Sequence, residues 1–326
     1  MPEVLLKGDG LAATACAVLL ERARWQVYRE GPPRTKLPSV VLNQVSQKLL
    51  TDLFAVPTLL ADAYPIETRV VRWGAETVSL PHKAVAISEG TLMDRLPKKA
   101  WETGTAPYCV VGMKPLPNDL PEISFGERKA EAVRVQLRKT AAAHACWVEA
   151  VADGWLFAVC EGEGRASMLA VGDTAEALLA QSVLLRGVVD SVESTGASFS
   201  CQPRIAPALK GDNWLACGSA AMSFDPICGE GTGHSIREAI LASAVLKAHA
   251  DGEDWGELTK LYEQRLRGGF RRHLEQCRKL YASGGDSAWW RAQQDSVEAG
   301  IKSGIGSSVD SSRYRLDGYD LLALRR

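Results

Sequence analysis

Over the first thirty positions the apolar residues fall into three short blocks with different periods. Val4-Leu5-Leu6 is a continuous apolar run. From 11 to 24 the chain is rich in Ala and Leu, with Ala15, Val18, Leu19 and Ala23 at helical spacing, and Trp25-Gln26-Val27-Tyr28 alternates. A buried strand, a helix and a second strand give those patterns in that order, so residues 3–30 predict one β-α-β unit. After the Pro-rich turn Gly31-Pro32-Pro33-Arg34, the spacing predicts a helix over 41–53, strands at 68–73 and 77–80, a helix over 91–96 and a strand at 108–112.

From 130 to 171 the alternation predicts a twisted antiparallel sheet, clearest at 143–151 and 154–159. Residues 173–186 read as helical and 198–203 as extended. The pattern then returns to a short buried strand at 214–218, a glycine-rich loop over 225–233 and a helix over 234–250. A long amphipathic helix covers 255–281, and Gly268-Gly269 predicts a break or kink in it. Trp289-Trp290 and Tyr314-Arg315-Leu316 indicate a partly ordered C-terminus. No repeat or low-complexity linker interrupts the chain.

Composition narrows the classes. A chain of 326 residues accommodates one large core or two moderate ones. A formal net charge of −1 gives no reason to expect a nucleic acid or an anionic membrane as partner. Eight cysteines, with no Cys-x-x-Cys pair and no neighbouring His at metal spacing, predict reduced, mostly buried thiols and no metal centre. No basic leader followed by an apolar stretch opens the sequence, and no run of about 18 apolar residues occurs, so the expectation is a cytoplasmic protein. Arg265, Arg267, Arg271, Arg272 and Arg278 read as the solvated face of a helix.

The first motif with chemistry in it is Gly8-x-Gly10-x-x-Ala13, set between a strand and a helix, with Glu30 at the end of the second strand. Gly8 permits a tight turn, Gly10 lets backbone approach a pyrophosphate, and the small Ala13 lets helix and strand pack closely. Free N–H groups of the helix start, at Leu11, Ala12 and Ala13, would face the phosphates. Glu30 is placed to bind ribose hydroxyls. These features predict a Rossmann-type dinucleotide site. Lys7 and Asp9 are unusual in such a turn; they pair with each other, or Lys7 sits at the phosphates.

The second motif is Trp214-Leu-Ala-Cys-Gly218-Ser219-Ala220-Ala221, followed by Asp225-Pro226-x-x-Gly229-x-Gly231-Thr232-Gly233. It resembles the second flavin motif of FAD-dependent monooxygenases of the p-hydroxybenzoate hydroxylase fold. Arg34 matches an arginine such proteins place by the pyrophosphate. The stretches 145–149 and 154–157 and the tail 314–319 are similar to the halogenase-like subgroup, which includes flavoproteins that assist maturation of quinone-cofactor amine and lysine oxidases. The likeness is strong at 3–34 and 205–250 and loose between.

The resemblance implies an α/β fold: a discontinuous Rossmann-type FAD-binding domain (1–64, 91–115 and 201–250), a β-sheet substrate domain (65–90 and 116–200) and a helical C-terminal cap (251–326). It implies FAD as cofactor, NAD(P)H as a possible reductant, and a small aromatic molecule or an aromatic side chain of a protein as substrate. It also implies that the helix opening near Gly231 points its N-terminus at the flavin ring. Three departures bear on activity. Ser219 stands where the family has an aspartate for the ribitol chain; the halogenase Trp-x-Trp-x-Ile-Pro motif is absent after Trp155; and the chain is short between Leu96 and Tyr108, with Gly112-Met113-Lys114-Pro115 in place of an Asp-Gly motif. The alternatives are a flavin-dependent reductase or dehydrogenase, or a degenerate flavoprotein with a binding or maturation role. No side chain stands out as an essential acid or base. His234 reads as a helix-surface residue, His82 and His144 have no visible partners, and Trp147 and Trp155 read as core.

Overall fold

The computed structural model describes residues 1–97, 102–117, 120–193, 197–307 and 313–324. The β-α-β unit forms as expected: strand Glu3–Lys7, helix Leu11–Arg22 and strand Gln26–Glu30. Strands Tyr108–Val111 and Trp214–Ala216 join them in a four-stranded parallel sheet, ordered 214–216, 108–111, 3–7, 26–30. Strands Glu3–Lys7, Tyr108–Val111 and Trp214–Ala216 carry short runs of Val, Leu or Ala, as a parallel sheet covered on its faces requires, whereas the edge strand Gln26–Glu30 buries only Val27. Helices Leu11–Arg22 and Gly231–Ala250 pack against each other beside this sheet, burying Ala15, Leu19, Ile236 and Ala239.

A second, nine-stranded sheet contains strands Lys129–Leu137, Ala145–Val151, Gly154–Gly162 and Arg165–Val171, which pair antiparallel. The antiparallel expectation for 130–171 holds. Strand Tyr64–Arg72 pairs parallel with Ala145–Val151, so the sheet is mixed. Strand Thr77–Ile87 extends well past the predicted end at 80. The alternation is interrupted at Pro81-His82-Lys83, where the register against Tyr64–Arg72 shifts between Ile66 and Thr68. An irregular pairing of this kind hides the strand's second half from a period-two reading.

Three further differences are local. The helix expected over 41–53 is a strand, Val40–Asn43, on the edge of the nine-stranded sheet, followed by helix Gln44–Phe54. Val40 and Val41 are β-branched, and Asn43 ends the strand by accepting the Ser46 N–H at 2.8 Å as the helix cap. The stretch 173–186 is two short helices, Ala175–Gln181 and Leu185–Val188. Helix Trp255–Gly284 runs unbroken through Gly268-Gly269. Each interior glycine costs about 1 kcal/mol, and burial of Leu266, Phe270 and Leu274 on that helix outweighs it. Helix Ala288–Lys302 packs on the same long helix, and a hairpin of Tyr314–Asp317 and Asp320–Ala323 ends the described chain.

Candidate functional site

Two helices in this structure begin differently from the rest. Among the described helices of seven or more residues, five are capped by a side chain: Asn43, Ser88, Thr174, Asp254 and Ser287. Helix Leu11–Arg22 starts at Gly10, and helix Gly231–Ala250 at Glu230. Neither has a capping side-chain hydrogen bond or an acidic residue in its first turn. Their first N–H groups and positive dipole ends are left for an external partner. Both open onto one cavity of about 930 Å³.

The polar end of that cavity is built by residues 9–13, Arg34, Gly218, Ser219, Gly231 and Thr232. At Gly10 φ is −80° and ψ 173°, extended backbone open to any residue. A Cβ built there meets nothing closer than Arg34 Nε at 3.5 Å, and one at Gly231 meets nothing within 4 Å. The protein's own packing does not demand glycine at either place, so close approach by a bound group is the role left for them. Gly8 and Gly218 differ. Their φ values are +121° and +59°, and a Cβ on Gly218 would come 2.9 Å from Ala12 Cβ, so the fold itself requires them. Gly229, at φ +65°, closes the turn Pro226–Cys228 in the left-handed region.

The remaining expected residues separate into those on the cavity wall and those off it. Asp225, Pro226 and Gly229 line the wall, whereas Gly8, Glu30 and Gly233 do not. Glu30 is paired with Lys7 at 2.7 Å, and Asp9 with Lys36 at 2.5 Å. Lys7 and Asp9 therefore do not pair with each other, because successive charges on a strand and its turn point to different neighbours. Gly233 allows helix Gly231–Ala250 to approach helix Gln44–Phe54, where an added Cβ would lie 3.2 Å from Ser46 Oγ. Arg34 does lie at Gly10, and its guanidinium is held by the buried Glu89 carboxylate, one contact of which measures 3.1 Å. Asp225 turns its carboxylate away from the cavity. It accepts hydrogen bonds from Arg128 Nη1 and the Tyr281 hydroxyl, both at 2.8 Å, and burial pushes its pKa up against the opposing charge of Arg128. Its position shapes the loop.

Ser219 is exposed to the cavity and donates to the Gly112 carbonyl at 3.3 Å. A carboxyl group nevertheless reaches this spot from another element. Glu238, two turns into helix Gly231–Ala250 and 6% exposed, accepts the Gly218 N–H at 2.7 Å and lines the cavity. Desolvation raises its pKa to about 8. In sequence Glu238 is the one carboxyl residue of helix Gly231–Ala250, among several other polar residues, with no signal to set it apart. Its raised pKa carries a sign. The unfolded chain releases this proton near 4.5 and the folded chain near 8, so stability falls as pH rises between those values. We expect Glu238→Gln to remove that slope, worth at most about 4–5 kcal/mol across the window. Urea melts of both proteins at several pH values check it, and equal slopes would refute the assignment.

The other end of the cavity is aromatic and lies on the nine-stranded sheet, with Trp73, Trp155, Phe157, Met168 and Phe199 on its wall. Trp155 is core and cavity wall at once: it is 2% exposed, and its Nε1–H has no partner. Trp147 is core only. His82, expected to stand alone, lies on the wall 3.0 Å from Arg69 Nη2. Arginine offers only donors, so His82 Nε2 accepts and Nδ1 carries the proton. Burial and then the Arg69 charge lower the His82 pKa, which keeps the ring neutral. His144 stacks on Tyr64 away from the cavity, and His234 stacks on Phe224 with centroids 4.1 Å apart.

No protein-family model and no curated protein matches the sequence. Solved structures do match. The peptidyl tryptophan dihydroxylase QhpG, essential for tryptophylquinone cofactor biogenesis, is similar with a TM-score of 0.74 and 21% identity over 90% of this chain and 78% of its own. The flavin-dependent halogenase CmlS gives 0.76 and 14% over 92% and 70%. HpxO of Klebsiella pneumoniae, complexed with FAD, gives 0.64 and 12% over 93% and 97%. These likenesses establish the fold: the chain has the α/β architecture of flavin-dependent halogenases and hydroxylases, with the helical C-terminal region the sequence led us to expect.

Proposed function

We propose that the protein is an FAD-dependent monooxygenase acting on an aromatic substrate, with an aromatic side chain of a partner protein as the favoured class. One observation carries the reading: two uncapped helix N-termini face a single cavity whose far end is aromatic. The donor set fits the group. The N–H groups of Leu11, Ala12 and Ala13, with Gly10 open beside them, would hold the pyrophosphate, and Arg34 would flank it. Glu30, exposed at the end of its strand and off the cavity wall, would take ribose hydroxyls that extend beyond the cavity, in exchange for Lys7. Ser219 and the Glu238 carboxyl would meet the ribitol chain as neutral partners. The start of helix Gly231–Ala250, at Gly231 and Thr232, would offer its dipole to the ring. When bound and reduced, FAD supplies the electrons that activate O₂ and delivers one oxygen atom to the substrate.

The chain's own residues do the rest. Trp73, Trp155 and Phe157 would stack an aromatic ring and exclude water, and His82, fixed by Arg69, offers a protonated Nδ1 at the same end. We read residues 1–64, 91–115 and 201–250 as the FAD-binding domain, 65–90 and 116–200 as the substrate domain and 251–326 as the cap, with NAD(P)H or a reductase as electron source. No described helix is long and apolar enough to cross a membrane. All eight cysteines are free, which supports a reducing, cytoplasmic setting. QhpG, which acts on a peptidyl tryptophan, supports the protein-substrate reading. A second reading, a flavin binder without turnover, is favoured by Ser219 and by the shortened segment after Leu96.

Titration with FAD followed by absorbance tests the cofactor. No binding up to about millimolar FAD, a limit near −4 kcal/mol, would overturn it. Reduction of the loaded protein without oxygen, then admission of O₂ with aromatic candidates, tests turnover. We expect mass spectrometry to find one added oxygen on an indole or phenol. Peroxide as the sole product with every candidate assigns the protein to the second reading.

A further inference from the structure

A side-chain cluster outside the proposed cofactor contacts combines two thiols and a histidine. Cys228 ends the turn Pro226–Cys228, and Cys277 lies 49 residues on, in helix Trp255–Gly284. Their sulfurs are 3.7 Å apart. His273, one turn before Cys277, places Nε2 3.3 Å from the Cys277 sulfur. The three groups present their ligand atoms within 4.8 Å of one another. Cysteine spacing along the chain gives no hint of this, since the contact depends on how the loop seats on the helix.

Metal binding and thiol oxidation are the two chemistries such a cluster offers. The hydrogen bonds favour the second. His273 Nε2 already accepts the Asp225 N–H at 2.8 Å, so its lone pair is committed to the backbone of the loop. Burial keeps the ring neutral, with a pKa lowered to about 3, and leaves Nδ1 as an unpartnered donor. A metal would have to break the Asp225 contact and would find only two thiols. For oxidation no rearrangement of His273 is needed.

The two cysteines also differ in access as an oxidised pair requires. Cys228 lines the cavity and is half-buried, whereas Cys277 is sealed from solvent. A second interacting thiol pair, Cys16 and Cys217, gives an internal contrast, because both are fully buried in the core and neither reaches the cavity. An oxidant small enough to enter meets Cys228 first.

We propose that Cys228 and Cys277 form a dithiol–disulfide pair that hydrogen peroxide in the cavity oxidises. The Cys228 sulfur attacks a peroxide oxygen, the O–O bond breaks, and Cys228 becomes a sulfenic acid with release of one water. The Cys277 sulfur then attacks the Cys228 sulfur. The S–S bond forms as the S–O bond breaks, and the departing hydroxyl takes the Cys277 proton to give a second water. Two thiols and one hydrogen peroxide thus give one disulfide and two waters. The link fastens the 226–228 turn to the long helix that already holds Asp225 through His273 and Tyr281.

Hydrogen peroxide added from outside serves as oxidant, so the outcome is independent of whether the protein binds FAD. The purified, fully reduced protein is treated with a few equivalents, alkylated and mapped by mass spectrometry, with circular dichroism confirming that it stays folded. We expect the alkylatable thiols to fall from eight to six, a 228–277 linked peptide to dominate, and dithiothreitol to restore all eight. In Cys277→Ser, dimedone should label Cys228; in Cys228→Ser, Cys277 should stay reduced. The proposal is overturned if both thiols remain alkylatable in the treated wild type, or if Cys228 links elsewhere. A stoichiometric zinc that copurifies and protects both thiols overturns it equally.

Discussion

Arg128→Met is expected to destabilise the protein by about 3–5 kcal/mol, the largest stability loss we anticipate from a single substitution. The guanidinium is fully buried. It donates from Nη1 to Asp225 at 2.8 Å and from Nη2 to Ser296 at 2.9 Å, and it lies 4.7 Å over the Tyr281 ring. Asp225 is equally buried and heads the loop that carries Cys228 and Gly229. Methionine keeps most of the apolar bulk but leaves a buried carboxylate with only Tyr281 and the Ile227 N–H as partners. Taking the charge out of water is then uncompensated. The double variant Arg128→Met/Asp225→Asn should recover part of the loss, because an amide removes the charge and can still accept the Ile227 N–H. Urea denaturation of wild type, single and double variants measures both steps. A single-variant loss under about 1 kcal/mol would show that the pair contributes no more than an exposed ion pair.

This pair also shows where sequence reading stops. The glycines at 8, 10, 218 and 229 and the helix starts at 11 and 231 were legible because their demands are local: a turn, a positive φ, a strand running into a helix. The chemistry that supports them is not local. Arg128 meets Asp225 across 97 positions, Arg34 meets Glu89 across 55, and Cys228 meets Cys277 across 49. Nothing in the sequence around one partner identifies the other. Asp225 was legible as part of a motif, but the direction of its carboxylate depends on Arg128.

The aromatic end of the cavity was illegible for a different reason. Trp155 sits in an alternating strand, and inward-facing positions of a sheet read as core whether they meet side chains or a cavity. The pairing of Tyr64–Arg72 with Ala145–Val151 decides that Arg69, Trp73 and Trp155 share a wall, and parallel pairing of distant strands leaves no trace in local alternation. Glu238 was missed because one buried carboxyl in an alanine-rich helix resembles a surface residue until the helix is docked. Its contact with the Gly218 N–H brings a carboxyl group to the spot where Ser219 lacks one.

Gly10→Val should weaken FAD binding at least about 100-fold, or roughly 2.8 kcal/mol, without lowering the stability of the ligand-free protein. The two halves of that expectation have separate causes. Gly10 has φ −80° and ψ 173°, which valine adopts freely, and the built Cβ finds its nearest neighbour, Arg34 Nε, at 3.5 Å. The fold therefore loses little. Three N–H groups of the uncapped helix start lie directly beyond, on the cavity wall, and branched methyl groups over them would hold a phosphate away. Gly10→Ala, with one carbon instead of three, should give an intermediate loss. Gly8 cannot serve for this test: at φ +121° any side chain strains the turn, so weaker binding there would mix with damage to the fold. Thermal melts without FAD and absorbance titrations with it separate the two effects. A folded Gly10→Val protein that binds FAD as wild type does would assign the glycine to the turn alone and remove the first helix from the cofactor site.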